Sequence, residues 1–101
     1  MKDKNSVNKM KKNSLKAQSI LKTLANANRL MILCHLVKGE KTVGELLELV
    51  DISQSALSQH LAKMRNEKIL ETRKSSTLIY YRISNFEVEA ILNTLYLIYC
   101  K

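Results

Sequence analysis

The sequence predicts a mostly α-helical fold with a single β-hairpin. Its 101 residues include two Gly and no Pro, so few positions interrupt a helix. Apolar residues recur at helical spacing along most of the chain, but they alternate with polar residues within the segment 69–83. With 46% hydrophobic residues, one Phe and four Tyr, the chain is expected to build one aliphatic core.

The first predicted helix spans residues 14–25, where the apolar residues fall on one side. Residues 1–13 precede it and are rich in lysine, which favours a basic, flexible N-terminal tail. A single folded domain is therefore expected over residues 14–101.

A second helix is predicted over residues 29–38. The polar residues 26–28 separate it from the first helix, and Asn28 is a residue type that caps helix N-termini. Gly39 follows the helix and supplies its stop.

The third and fourth helices each begin at a capping residue. Thr42 precedes a short helix over residues 43–50, and with Glu45 it fits the S/T-x-x-E capping box. Ser53 is expected to cap a longer helix over residues 54–67. Only a three-residue turn separates the two helices.

The spacing of apolar residues then changes from helical to alternating. Residues 69–72 and 78–83 are predicted strands, and residues 73–77 are predicted to form the tip of a hairpin. A last helix is predicted over residues 85–100 and is apolar on two sides. Such a helix is expected to be buried on both sides, so we expect a homodimer.

These elements, in the order α-α-α-α-β-β-α, form a winged helix-turn-helix. The formal net charge of +8 predicts a polyanionic partner. Residues 63–82 contain six basic and two acidic residues, a net charge of +4 confined to one segment. The sequence therefore predicts binding to double-stranded DNA.

The fourth helix has an apolar stripe on one side and small polar side chains on the other. Leu57, Leu61 and Met64 are expected to pack inward. Opposite them lie Ser and Gln side chains, and Gln is able to bind adenine through two hydrogen bonds. His60 falls beside the stripe, which favours a partly buried or phosphate-contacting histidine.

At the predicted hairpin tip, Arg73 and Lys74 are expected to meet phosphates or the minor groove. An ordinary polar helix face and a solvated hairpin are the alternatives to DNA contact. The predicted DNA-binding residues are Gln54, Ser55, Ser58, Gln59, His60, Lys63, Arg65, Arg73 and Lys74.

Four segments carry a family resemblance over about residues 14–100. They are Leu24-Ala25-Asn26-Ala27-Asn28-Arg29-Leu30-Met31-Ile32-Leu33, Thr42-Val43-Gly44-Glu45-Leu46, Ser53-Gln54-Ser55-Ala56-Leu57-Ser58-Gln59-His60-Leu61 and Thr77-Leu78-Ile79-Tyr80-Tyr81-Arg82-Ile83. The sequence resembles the ArsR/SmtB family of homodimeric bacterial transcriptional repressors. The resemblance implies a dimer through the first and last helices, a palindromic operator, and release of that operator when an inducer arrives.

The resemblance does not extend to the metal-binding residues of the family. Metalloid sensors carry a Cys-x-Cys pair in the third helix, where this chain has Glu45-Leu46-Leu47-Glu48. Zinc sensors use Asp, His, His and Glu on the last helix, and this last helix has no His. No metal site and no cofactor are therefore expected, although a metal-responsive repressor remains an alternative.

The sequences around the two cysteines, Ile32-Leu33-Cys34-His35-Leu36 and Tyr99-Cys100, resemble those of the persulfide- and redox-sensing branch of the family. That branch has one cysteine in each of the corresponding helices and joins them by a disulfide or polysulfide bridge. The resemblance implies an inducer that is sulfane sulfur or an oxidant. The alternatives are two buried, unreactive cysteines and a DNA-binding regulator that does not respond to thiol chemistry.

Other functional classes lack support in the sequence. No Ser/His/Asp set, paired-carboxylate motif or Gly-rich phosphate loop suggests an enzyme. No apolar stretch approaches the length of a membrane span, and no apolar region follows the basic N-terminus as in a signal peptide. A cytoplasmic protein without a membrane partner is expected.

Overall fold

The computed structural model describes residues 4–99, which form five α-helices and three β-strands. The fold class is the predicted one, with a β-hairpin between the fourth and fifth helices. In chain order the elements are α1 (Lys4–Leu24), α2 (Ala27–Val37), β1 (Lys41–Thr42), α3 (Val43–Leu49), α4 (Gln54–Asn66), β2 (Leu70–Ser75), β3 (Leu78–Ile83) and α5 (Phe86–Tyr99).

Helix α1 begins at Lys4, so its predicted start at residue 14 was wrong. Residues 4–13, which the sequence assigned to the N-terminal tail, are helical, and the domain boundary itself stays a prediction. The sequence pattern does not predict these early turns, because lysines and asparagines surround their two large apolar side chains, Val7 and Met10.

Helix α2 begins two residues earlier than predicted because Asn26, and not Asn28, is its N-cap. Asn26 has an extended backbone, and its side-chain oxygen accepts a hydrogen bond from the Arg29 amide at 3.0 Å. After α2 ends, Gly39 has a φ of +148°, a conformation that favours glycine. This turn directs the chain into β1.

The caps of α3 and α4 are confirmed. The Thr42 hydroxyl accepts from the Glu45 amide at 3.1 Å, and the Glu45 carboxylate accepts from the Thr42 amide at 2.9 Å. The Ser53 hydroxyl accepts from the Ala56 amide at 3.1 Å. Both helices of the helix-turn-helix therefore begin where the sequence predicts.

The C-terminal end of α4 turns sharply through a Schellman motif. The Ile69 amide donates to the Met64 carbonyl at 2.9 Å, and the Lys68 amide donates to the Arg65 carbonyl at 3.0 Å. Lys68 has a φ of 61°, and the buried Ile69 and Met64 flank the turn. The motif links α4 directly to the hairpin that follows it.

The three strands form an antiparallel sheet in the order β1-β3-β2. The hairpin is longer than predicted, since β2 continues to Ser75, which pairs with Leu78. Its tip is therefore Ser76 and Thr77. Strand β1, which the sequence did not predict, pairs with the middle of β3 and joins this hairpin, the wing, to the end of α2.

The core is aliphatic and draws on every helix. It consists of Leu24, Ile32, Leu33, Leu36, Leu46, Val50, Leu57, Leu61, Met64, Ile69, Leu70, Val88 and Leu92. Helix α5 contributes only two of these side chains. Four of its other large side chains are exposed in the single chain: Phe86 by 80%, Leu97 by 62%, Ile98 by 62% and Tyr99 by 78%.

Candidate nucleic-acid interface and sensor cysteine

Helix α4 presents one buried side and one exposed polar side. Leu57, Leu61 and Met64 are almost fully buried, as the sequence predicted. The side chains predicted to contact bases lie on the exposed side: Gln54, Ser55, Ser58 and Gln59. Because the other side is fixed in the core, these four have a defined direction relative to the protein body.

His60 lies at the edge of the exposed side of α4 and is half-buried, as expected. Its burial lowers the pKa of the imidazole, and the positive charge of Arg29 lowers this pKa further. The Arg29 side chain is held by a hydrogen bond from its Nε to the Thr23 carbonyl at 2.7 Å. Both effects favour the neutral form of His60, which has one N–H donor and one acceptor nitrogen.

The C-terminal half of α4 holds the predicted basic residues Lys63 and Arg65, both exposed. Lys63 Nζ lies 3.3 Å from a carboxylate oxygen of Glu67, one turn along the chain. The other oxygen of Glu67 accepts a hydrogen bond from the Thr23 hydroxyl at 2.8 Å. This pair of contacts fastens the end of α4 to the end of α1.

The structure corrects the predicted position of Arg73 and Lys74. Both lie within β2, and neither lies at the hairpin tip. The Arg73 guanidinium donates two hydrogen bonds to the Glu40 carboxylate, with Nε at 3.2 Å from the nearer oxygen, and it lies 4.6 Å from the centre of the Tyr80 ring. The hydrogen bonds from Arg73 hold the pKa of Glu40 below its usual value. Arg73 is thus already bound to an anion of the protein.

A second arginine of the wing also has a carboxylate partner. Arg82 on β3 forms an ion pair with Glu71, its cross-strand neighbour on β2. Lys74 is exposed and lies nearer to the hairpin tip than either pair. The basic hairpin of the sequence is therefore partly neutralised in the fold.

Glu40 is a residue of this surface that the sequence did not single out. It lies 33 positions from Arg73, and it reaches the wing because the chain after α2 runs into β1 at the edge of the sheet. No local pattern predicts a two-residue strand. Arg73 and Tyr80 lie opposite each other in the hairpin, so a predicted strand that continues to residue 75 would also predict their contact.

Cys34 lies on α2, half-buried against the core. It lines an open groove of about 320 Å³ between α2 and α5, together with Met31, His35, Lys38 and Tyr96. The Lys38 ammonium is 5.8 Å from the centre of the Tyr96 ring. Burial lowers the pKa of His35, and the charges of the neighbouring lysines lower it further. The groove therefore brings together a thiol, an imidazole whose neutral form is favoured, and a lysine ammonium.

Cys100, the other predicted sensor residue, lies outside the described residues. Tyr96, four positions before it in the sequence, belongs to α5 and lines the Cys34 groove. Helix α5 therefore lies beside α2 as far as Tyr96.

Residues 4–99 show neither a metal-binding cluster nor a membrane-spanning helix. Among them, no group of three or more His, Cys, Asp and Glu side chains is placed to hold a metal ion. Within the same part of the chain, no helix has the length and hydropathy of a membrane span.

Comparisons with known proteins give a consistent result. The family model described as "Bacterial regulatory protein, arsR family" matches residues 26–72. The chain is 47% identical over 92 residues to the transcriptional activator HlyU of Vibrio cholerae. The aligned region covers 91% of this chain and 85% of that protein. It is 41% identical over 91 residues to the biofilm growth-associated repressor of Xylella fastidiosa, with 90% and 80% covered.

The fold is also similar to a solved structure. Reduced HlyU from Vibrio cholerae superposes with a TM-score of 0.87 at 46% sequence identity. The superposition covers 92% of this chain and 98% of the HlyU chain.

Proposed function

Because this chain belongs to the ArsR family of bacterial regulatory proteins, we propose that it is a homodimeric repressor that binds a palindromic operator and releases it when Cys34 and Cys100 are bridged. Its relatives are transcriptional regulators and not enzymes, and the chain is a DNA-binding regulator of this type. The observation that carries the operator-binding part is the exposed polar side of α4, opposite a stripe that is fixed in the core.

The side chains of α4 suit the major groove. A Gln amide such as that of Gln59 binds adenine through two hydrogen bonds, and Ser hydroxyls pair with several bases. Residues of the first turn, Gln54 and Ser55, come nearest to the base edges in this arrangement. Arg65 and Lys74 are exposed and supply charge for phosphate contacts, which add affinity without sequence preference.

Dimer formation is supported by apolar side chains that the single chain leaves exposed. They occur on the first and last helices and include Met10, Leu21, Leu97 and Ile98. Exposed apolar surface of this extent marks an association site. A two-fold dimer would place the two α4 helices to contact successive major grooves, about 34–36 Å apart.

The proposed switch uses the groove around Cys34. Lys38 and His35 line the same groove as Cys34. The reactive form of a cysteine is the thiolate, and a nearby positive charge stabilises it. A thiolate attacks the sulfane sulfur of a persulfide RSSH and expels RSH, which leaves a cysteine persulfide. The second cysteine attacks the inner sulfur of that persulfide, forms the disulfide and expels H₂S. In sum, two thiols and one RSSH give one disulfide, one RSH and one H₂S.

A bridge between the two helices would change DNA affinity through the dimer. The bridge would shift α5 against α2, and α5 carries part of the proposed dimer interface. The distance between the two α4 helices would then depart from the groove spacing, which costs the specific contacts.

Substitution of Gln59 tests the DNA-binding part. A DNA duplex enriched from a random library by repeated rounds of binding, called here the selected duplex, is compared with random DNA. We expect Gln59→Ala to lose about 1–3 kcal/mol of preference for the selected duplex per half-site, because the amide contacts are gone. Gln18→Ala on the exposed surface of α1 is the matched control. An unchanged preference in Gln59→Ala would show that this side of α4 does not contact bases.

A further inference from the structure

The first helix carries a set of lysines that the proposed function does not use. Its 21 residues include no Asp or Glu. The helix contributes +6 to the formal net charge of +8, so the rest of the chain contributes only +2. We define the lysine face as the six basic side chains of this helix: Lys4, Lys9, Lys11, Lys12, Lys16 and Lys22.

The lysine face lies opposite most of the apolar side chains of α1, although Leu15, which is 59% exposed, falls within it. At about 100° per residue, its six side chains fall within an arc of roughly 160°. The apolar side includes the exposed Val7, Met10 and Leu21, and it continues to Leu24, which is buried in the core. A dimer that covers this apolar side therefore leaves the lysine face accessible.

Among residues 4–99, no carboxylate lies within ion-pair distance of the lysine face, although Glu87 of α5 lines the same groove as Lys16. All six side chains are exposed. The ion pairs found among residues 4–99 lie on α4 and around the wing, and none includes a lysine of α1. Neighbouring positive charges on one helix repel each other, so a polyanion that lies along the helix relieves this repulsion.

The lysine face begins beside the DNA-contacting helix and extends away from it. The end of α1 is fastened to the end of α4 by the hydrogen bond from Thr23 to Glu67. A helix of 21 residues is about 32 Å long at 1.5 Å per residue. This length is close to the 34 Å of one turn of DNA, so the face matches a row of phosphates about one turn long.

We propose that the lysine face of α1 binds DNA phosphates in the segments that flank the half-site contacted by α4. The proposal rests on the proposed function. Lysine is suited to the role, because its flexible ammonium contacts phosphates as a point charge and carries no sequence information. The charge distribution supports it, since Lys63, Arg73 and Arg82 of the winged helix are already paired with carboxylates.

A membrane surface is the other polyanion that an amphipathic basic helix binds. That mode needs the apolar side of α1 to enter the lipid. The same side is continuous with the core at Leu24 and is the surface proposed for the dimer. The observations therefore favour DNA, and membrane binding is made an outcome of the test.

The test changes the charge of the lysine face without breaking the helix. One variant combines Lys4→Gln, Lys9→Gln, Lys11→Gln, Lys12→Gln and Lys16→Gln, and its matched control places Arg at the same five positions. Gln, Arg and Lys have similar helix propensities. Circular dichroism and sedimentation confirm that both variants fold and assemble as the wild type does. Each is titrated with the selected duplex and with the same duplex extended by about ten random base pairs, one helical turn, on each side.

We expect the Gln variant to lose at least tenfold in affinity for the extended duplex at low salt. The slope of log K against log salt should fall in magnitude by at least about 2, because fewer counterions are released. The short duplex should be bound as by the wild type, and the Arg variant should match the wild type on both duplexes. An unchanged slope for the Gln variant on the extended duplex overturns the proposal. An unchanged slope together with binding of the wild type to phosphatidylserine vesicles assigns the face to membranes and also overturns it.

The same titrations separate this proposal from the proposed function. If the wild type binds random DNA as tightly as the selected duplex, the operator-binding function fails. If the preference for the selected duplex persists while the Gln variant keeps the wild-type slope, only the role of the lysine face is rejected.

Discussion

At the scale of single residues, the contacts of Arg73 change the expected role of the wing. The sequence predicts a cation at the hairpin tip that is available to phosphates. In the fold, Glu40 accepts two hydrogen bonds from the guanidinium and Tyr80 covers one of its faces. In the proposed complex a phosphate would have to compete with a carboxylate for this arginine, so Glu40 would weaken any contact between Arg73 and DNA.

The competition predicts that Glu40→Gln raises affinity for DNA of any sequence. We expect tighter binding to random DNA and a salt slope steeper by up to about 0.9 per protomer, because Arg73 then releases one more counterion. Salt-dependent anisotropy titrations measure both quantities. The control repeats Glu40→Gln in an Arg73→Gln background, where no gain beyond a general charge effect is expected. Equal gains in both backgrounds would contradict the competition.

The two histidines predict a dependence of stability on pH. Burial is the largest cause that lowers the pKa of both His35 and His60 in the folded protein. Near the ordinary histidine pKa of about 6.5, the unfolded chain then binds more protons than the folded one, so stability falls as the pH drops through this value. Urea unfolding at about pH 7.5 and 5.5 measures the change. A His35→Gln/His60→Gln variant should show a smaller loss, and an equal loss would show that other groups cause it.

At the scale of elements, capping residues predicted the starts of α3 and α4 correctly, whereas α2 is capped by Asn26 and not by the predicted Asn28. The Thr42–Glu45 box and Ser53 define the starts of α3 and α4 through hydrogen bonds within three residues. The exposed side of α4 was predictable for the same reason, because three buried side chains at helical spacing fix which side faces outward.

Elements that depend on distant partners were not predictable in this way. Strand β1 has only two residues and exists through its pairing with β3. The end of β2 is polar, and it is a strand because Arg73–Ser75 pair with Leu78–Tyr80 across the hairpin. The Glu40–Arg73 contact follows from both of these pairings. A local sequence pattern therefore could not predict the contact between Glu40 and Arg73.

The exposed apolar side of α5 predicts that Leu97→Glu separates the proposed dimer without unfolding the chain. Leu97 is 62% exposed in the single chain, so a carboxylate there costs little until the second copy covers it. Sedimentation should show a monomer for this variant and a dimer for the wild type, with equal helical content by circular dichroism. Leu78→Glu on the exposed wing is the matched control and should stay dimeric. A wild-type protein that is monomeric at micromolar concentration would contradict the proposed interface.

At the scale of the whole molecule, the single chain is more extended than a compact domain. Its radius of gyration is 15.8 Å and its longest dimension is 56 Å. A compact chain of about 100 residues has a radius of gyration near 13 Å. The difference arises because residues 4–19 of α1 are exposed along their whole length. A second copy that packs on this helix would complete the fold.

The proposed sensor and the proposed DNA-contacting surface are joined by continuous structure. Cys34 lies on α2, and the chain after α2 passes through Gly39 and Glu40 into β1 of the wing sheet. Glu40 in turn holds Arg73 of the wing. A displacement of α2 would therefore reach the wing as well as α5.

An operator titration before and after sulfur treatment tests the central claim most directly. The selected duplex is titrated with reduced protein and with protein treated with sodium tetrasulfide, and each sample is weighed by mass spectrometry. The wild type should lose at least about tenfold in affinity, roughly 1.4 kcal/mol. Its mass should show a bridge, that is, the loss of two hydrogens from the two thiols. Cys34→Ser and Cys100→Ser should each bind as the reduced wild type and fail to respond. Release of DNA from either treated variant would contradict the two-cysteine switch, and unchanged affinity of the bridged wild type would identify a regulator that is independent of its thiols.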